Sequence, residues 1–137
     1  MQVKEIMTKA VVTVSMDDNT KAIKQIFSKT HFHHLLVVEN KQLVGIISDR
    51  DLFKSLSPNI GTASETEKDA ATLNKRAHQI MSRKPKSLAS DADIYDAIAI
   101  FNRSDISCIP IVDHTNKPIG ILSWRDILRI LEKLRKH

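Results

Sequence analysis

Two tetrapeptides carry the residue types that hold a phosphorylated sugar: Ser48-Asp49-Arg50-Asp51 and Ser123-Trp124-Arg125-Asp126. A carboxylate accepts from two cis ribose hydroxyls, and a guanidinium forks onto phosphate. A serine at a helix start leaves backbone amides facing an anion. The same spacing has a purely structural use. Serine at an N-cap with aspartate three residues later is a capping box, in which the hydroxyl accepts from the N3 amide and the carboxylate from the N-cap amide. Neither use excludes the other, and the residues alone leave both open.

Each tetrapeptide ends a short apolar run that starts at glycine, Gly45-Ile46-Ile47 and Gly120-Ile121-Leu122, and each opens a helical pattern. A strand must therefore feed a helix at both places. The second run stands 75 residues after the first. Upstream, Lys4-Glu5-Ile6-Met7-Thr8 recurs as His78-Gln79-Ile80-Met81-Ser82 at an offset of 74, which also carries Asp17 onto Asp91 and Ile26-Phe27 onto Ile100-Phe101. One residue inserted in the turn 113–117 accounts for the change of offset. The chain is two copies of one unit.

In the first copy the pattern predicts a strand over 10–14, a capping signal in Ser15-Met16-Asp17-Asp18 and a helix over 19–30 with Ala22, Ile23, Ile26 and Phe27 on one face. Strands over 35–38 and 43–47 follow around the polar turn 39–42, and a second helix starts after Ser48. The second copy repeats this with a strand near Ser87-Leu88, a helix over 91–104, strands over 108–112 and 119–122, and a final helix from Trp124 to about Arg135. Between the copies, 57–65 reads as loop by its Pro, Gly and Ser content, and 69–79 as a helix leading into the second copy. Neither half has enough apolar surface to stand alone. The expected architecture is α+β, with the two halves packed sheet to sheet around a pseudo-twofold axis and equivalent clefts on either side.

Length and composition narrow the function. At 137 residues, 42% hydrophobic and 27% charged, the chain has the make-up of a globular protein with a real core. No apolar run reaches the roughly 18 residues that cross a bilayer, and the first residues lack the apolar segment of a signal peptide, so a cytoplasmic protein without a membrane partner is expected. The one cysteine, Cys108, fits a reducing compartment. A formal charge of +5 favours an anionic ligand, yet the basic residues are scattered and the aromatic content is 4%, too sparse for base stacking, so nucleic acid is not the expected partner. His31, His33 and His34 suggest a metal, but no carboxylate or cysteine at a fitting spacing completes a tetrahedral set, and none is expected.

The order Ile-Met-[Ser/Thr], strand, amphipathic helix, strand pair, Gly-Ile-[Ile/Leu]-Ser-x-Arg-Asp, helix, present twice from about Val3 to Leu134, resembles a tandem pair of CBS domains, or Bateman module. The resemblance implies β-α-β-β-α repeats over 1–57 and 78–137, joined by a partly helical linker over 58–77. It also implies two clefts that take adenine nucleotides or adenosyl ligands, and a homodimer. Carried onto this chain, the ribose-contacting aspartate falls on Asp51 and Asp126 and the hydroxyl on Ser48 and Ser123, with Arg50 and Arg125 beside them for phosphate. The phosphate contacts before the second strand fall on His33 and His34, and on Ser107 and Cys108 in the second half. Base contacts from the first strand fall on Val12 and Thr13, and on Lys86 and Ser87, although core packing suits Val12 better. Leu36 departs from the proline that the second half keeps at Pro110, and Trp124 stands where the first half has Asp49.

No nucleophile with its base, no metal cluster and no P-loop is present, so an enzyme is not expected. The leading expectation is a non-catalytic sensor that binds AMP, ADP, ATP or an S-adenosyl compound as a regulatory ligand, with no other cofactor, and passes occupancy to an unidentified regulated protein. The alternative is a structural or protein-binding dimerisation module with no ligand. Because histidine titrates near neutrality, His33 and His34 should raise nucleotide affinity as the pH falls from about 7.5 to 6.

Overall fold

The computed structural model describes residues 1–135. Its strands are β1 (Thr13–Ser15), β2 (His34–Glu39), β3 (Gln42–Ser48), β4 (Ser82–Arg83), β5 (Leu88–Ala89), β6 (Cys108–Val112) and β7 (Pro118–Ser123). Its α-helices are α1 (Thr20–Lys29), α2 (Asp49–Ser55), α3 (Glu67–Ala70), α4 (Ala77–Ile80), α5 (Ile94–Arg103) and α6 (Trp124–Arg135). The fold is α+β, with two sheets in the orders β1-β2-β3-β4 and β5-β6-β7.

The chain divides into two compact units that cut across its linear order. One holds Val12–Asn40 and Val44–Lys84; the other holds Met1–Val11, Lys41–Leu43 and the chain from Pro85 onward. The Ile-Met segment at the start of each copy thus belongs with the opposite repeat.

In the first-repeat unit β1 runs parallel to β2, Val14 opposite Val37, so α1 is the crossover between them. Asn40 and Lys41 both adopt positive φ, 51° and 67°, which closes the β2–β3 turn. Val14, Ile23, Leu35, Val37, Ile47, Leu52 and Ala77 form this unit's core. On the far edge of β3, β4 pairs antiparallel, Gly45 opposite Arg83, and brings Met81 against Gly45.

The second-repeat unit repeats the plan. Strand β5 is parallel to β6, and β6 antiparallel to β7, around Val3, Ile94, Ala97, Ile109, Ile111, Leu122 and Ile127. A single bridge replaces the β4 ladder: Thr8 and Ile121 exchange two hydrogen bonds of 2.9 Å, and Met7 lies against Gly120. The glycine that opens each motif therefore has a packing reason, since a methionine sits where its Cβ would be.

Three sequence expectations are corrected. Ser15-Met16-Asp17-Asp18 is not the helix cap: Ser15 N donates to Asp18 Oδ2 at 2.8 Å in a turn, and Asn19 caps α1 by accepting from Ala22 N at 2.9 Å. The segment 69–79 is not one helix. It breaks between a 3-10 turn at Ala71–Asn74 and α4, because the Lys75 carbonyl accepts from both N and Oγ1 of buried Thr20, each at 2.7 Å, and so is not committed to a helix of its own. The first strand is also shorter and later than 10–14, since only Thr13–Ser15 finds a ladder partner in β2.

Candidate functional site

Both strand-to-helix steps form complete capping boxes. At α2, Ser48 Oγ accepts from Asp51 N at 3.0 Å and Ser48 N donates to Asp51 Oδ2 at 2.9 Å. At α6, Ser123 Oγ accepts from Asp126 N at 3.2 Å and Ser123 N donates to Asp126 Oδ2 at 2.8 Å. The structural use is therefore realised twice. Each box leaves chemistry over: the serine hydroxyl still has its proton to donate, and Oδ1 of each aspartate lies outside the box. The two repeats then diverge. Asp126 Oδ1 stands 3.6 Å from the Arg129 guanidinium one helical turn on. Position 54, which corresponds to Arg129, is Lys54, and no ion pair to Asp51 forms there.

The segment before each second strand lies beside its step. Asp49 N donates to the His33 carbonyl at 2.9 Å, and Trp124 N to the Ser107 carbonyl at 3.4 Å. In the first repeat a side-chain link is added, His33 Nδ1 to Asp49 Oδ2 at 2.9 Å. Residues far apart in sequence thus lie together: His33 and His34 with Ser48 and Asp51, and Ser107 and Cys108 with Ser123 and Asp126. Asp49 and Arg129 were not singled out from the sequence. The Arg129 pairing is readable in the i, i+3 spacing; the Asp49 link depends on where β2 begins.

Burial sorts the remaining candidates. His34 is half-buried, and loss of hydration pushes its pKa below the usual 6.5, with Asp49 pulling the other way. Its charge therefore arrives at lower pH than the sequence suggested, which weakens its share in the expected rise in affinity between 7.5 and 6. The same shift has a stability consequence. The unfolded chain takes up the His34 proton more readily than the folded one, so stability is full above 6.5 and declines as the pH falls below it. Urea titrations between about pH 7 and 5.5 should show this decline, with a shallower slope in His34→Gln. Equal slopes would exclude His34 as its source.

Cys108 is 6% exposed, and burial raises its pKa to about 12, so it is a neutral core thiol. Iodoacetamide at about pH 8 should leave it unlabelled in the native protein and label it in denaturant. Prompt native labelling would show that β6 opens. Arg50 is exposed, while Arg125 sits 5.8 Å over the Trp124 ring and is engaged there. Thr13 is exposed on β1; Ser87 is half-buried; Lys86 Nζ donates to Ser104 Oγ at 2.7 Å, which ties it to the end of α5. Among the described residues, no group of three or more His, Cys, Asp or Glu is placed to hold a metal ion, and no helix is long and apolar enough to cross a membrane.

Comparison with known proteins decides the family. The CBS domain model matches residues 3–58 and again 77–133. The chain belongs to the CBS domain family. Its two CBS domains are 33% identical over 129 residues to an uncharacterised protein of Methanocaldococcus jannaschii, covering 94% of this chain and 43% of that one. A second uncharacterised protein of that organism is matched over 40% of its length, so the chain spans about two fifths of these relatives. Among solved structures, the CBS domain pair of protein MJ0100, in complex with 5'-methylthioadenosine and S-adenosyl-L-methionine, is 25% identical with a TM-score of 0.78, over 97% of each chain. The CBS-pair protein CBSX2 of Arabidopsis thaliana, 23% identical with a TM-score of 0.81 over 99% of this chain and 97% of its own, shares the fold.

Proposed function

We propose that this CBS pair is a non-catalytic regulatory module that binds an adenosyl compound or adenine nucleotide at its Ser48/Asp51 and Ser123/Asp126 steps. The observation that carries the reading is the juxtaposition, in both repeats, of a Ser-x-x-Asp step with the residue preceding the second strand. Support comes from the adenosyl ligands held by the CBS pair of MJ0100. In this reading Oδ1 of the aspartate accepts from the ribose diol, the serine hydroxyl donates to the ligand, and His33 and Arg50 supply positive charge for phosphate or carboxylate in the first repeat. The second repeat offers Ser107 and Arg125 instead, so the sites have unequal preferences. Occupancy is passed to a regulated protein.

The reading includes a homodimer in the cytoplasm. Trp124, Leu128, Leu131 and Leu134 are 45–54% exposed along α6 at helical spacing, an apolar stripe that favours a second copy. That stripe is also what favours the alternative, a dimerisation module with no ligand.

Calorimetry of the full chain against AMP, ADP, ATP and S-adenosylmethionine tests the choice. Saturable binding of one of them supports the sensor; silence across all four, with a dimer in sedimentation, supports the alternative.

A further inference from the structure

Three of the chain's four phenylalanines, Phe27, Phe32 and Phe53, line one cavity of about 370 Å³ in the first-repeat unit. It lies between the C-terminal half of α1, the segment that enters β2 and the first turns of α2, and neither Ser48 nor Asp51 lines it. Lys24, His31 and His33, with Ser28, Thr30 and the Asp49 carboxylate, supply its polar wall. His33 Nδ1 meets the Asp49 carboxylate at 2.9 Å, and Lys24 and His31 are the basic side chains of the lining outside that link. Phe53 is 70% exposed and stands at the open side.

We propose that this cavity is a second binding site, for a flat aromatic ring carrying a single carboxylate. Three phenyl rings and Leu52 take the ring by stacking and edge contacts, and Lys24 with His31 takes the carboxylate. The Asp49 carboxylate in the wall disfavours a more highly charged anion. The volume sits near the lower end of the range for small-molecule sites, roughly 300–1,000 Å³, which suits a one- or two-ring acid and not a nucleoside triphosphate. The site is particular to the first repeat. At the repeat offset Lys24 corresponds to Ile98, His31 to Asp105, Phe32 to Ile106 and His33 to Ser107, so the second repeat places an acid where the carboxylate would bind. This inference does not depend on the adenosyl reading.

Titration calorimetry of the full chain with 2-naphthoate is the test. One saturable site with a Kd below about 1 mM is expected, weakened about tenfold or more by Lys24→Glu and by His31→Asp, both at exposed positions. Lys29→Glu, on the same helix but outside the cavity, makes the same charge change and should leave binding intact. The cationic analogue 2-naphthylmethylamine should bind about tenfold more weakly. No saturation, including because a second copy covers the cavity, would overturn the proposal. Equal binding of the amine or equal loss in Lys29→Glu would also overturn it.

Discussion

Asp51→Ala and Asp126→Ala should each weaken adenosyl binding at their own repeat by about tenfold or more, the worth of one charge-assisted hydrogen bond to a hydroxyl pair. Each also removes the carboxylate half of a capping box, at about 1 kcal/mol of stability. The two effects separate through the serine partner. Ser48→Ala destroys the same box by removing the acceptor for Asp51 N, but it leaves the carboxylate in place. If Asp51 acts on the ligand directly, Ser48→Ala matches Asp51→Ala in urea and retains more affinity in calorimetry. If the aspartate only holds the helix start, Ser48→Ala loses at least as much affinity as Asp51→Ala, since it also removes the hydroxyl donor. Arg129 adds a test of the inequality between repeats. With Asp126 Oδ1 3.6 Å from its guanidinium, Arg129→Ala should free that oxygen and raise affinity at the second repeat alone. An unchanged titration would remove Oδ1 of Asp126 from the binding reaction.

Gly45→Ala should destabilise the fold by about 1–3 kcal/mol, the range for forcing an extra carbon into a filled space. A Cβ at Gly45 would overlap Met81, with Cγ at 2.9 Å, and would press on the Ser82 carbonyl at 3.1 Å, which belongs to the paired strand and cannot swing away. At Gly120 the nearest atoms a Cβ would meet all belong to the Met7 side chain, Cγ at 3.0 Å and Cε at 3.1 Å, and a thioether chain adapts more readily than a paired backbone. The cost at Gly120 should be clearly the smaller, measured as the shift of the urea midpoint. In a double-mutant cycle, Gly120→Ala with Met7→Ala should cost less than the sum of the singles by at least about 0.5 kcal/mol. Strict additivity would mean that Met7 does not occupy the space above Gly120.

These two experiments also mark what the sequence disclosed. Asp51 and Asp126 were legible because a duplicated Ser-x-Arg-Asp after a β-branched run is a local pattern, and the box it predicts forms both times. The strands over 108–112 and the final helix were equally local, their apolar residues falling at the right period. The role of Met7 and Met81 was not legible. Their recurrence advertised a repeat, but which glycine each would cover depends on contacts more than thirty residues away in sequence. The same is true of Lys75, whose carbonyl is claimed by Thr20 and so interrupts a segment with good helical composition. His34 shows a third kind of miss: a sequence gives an imidazole its ordinary pKa, and burial, against the pull of Asp49, moves it down in the fold.

The assignment of Met1–Val11 to the second-repeat unit and of the 77–84 segment to the first has a consequence for dissecting the chain. A gene cut in the 57–65 loop yields two polypeptides, each deprived of the methionine-bearing piece that seals its own sheet and each holding the piece the other lacks. Such fragments should therefore be complementary halves of one folding reaction, unfolded alone and gaining structure when mixed, as circular dichroism of each and of the mixture would show.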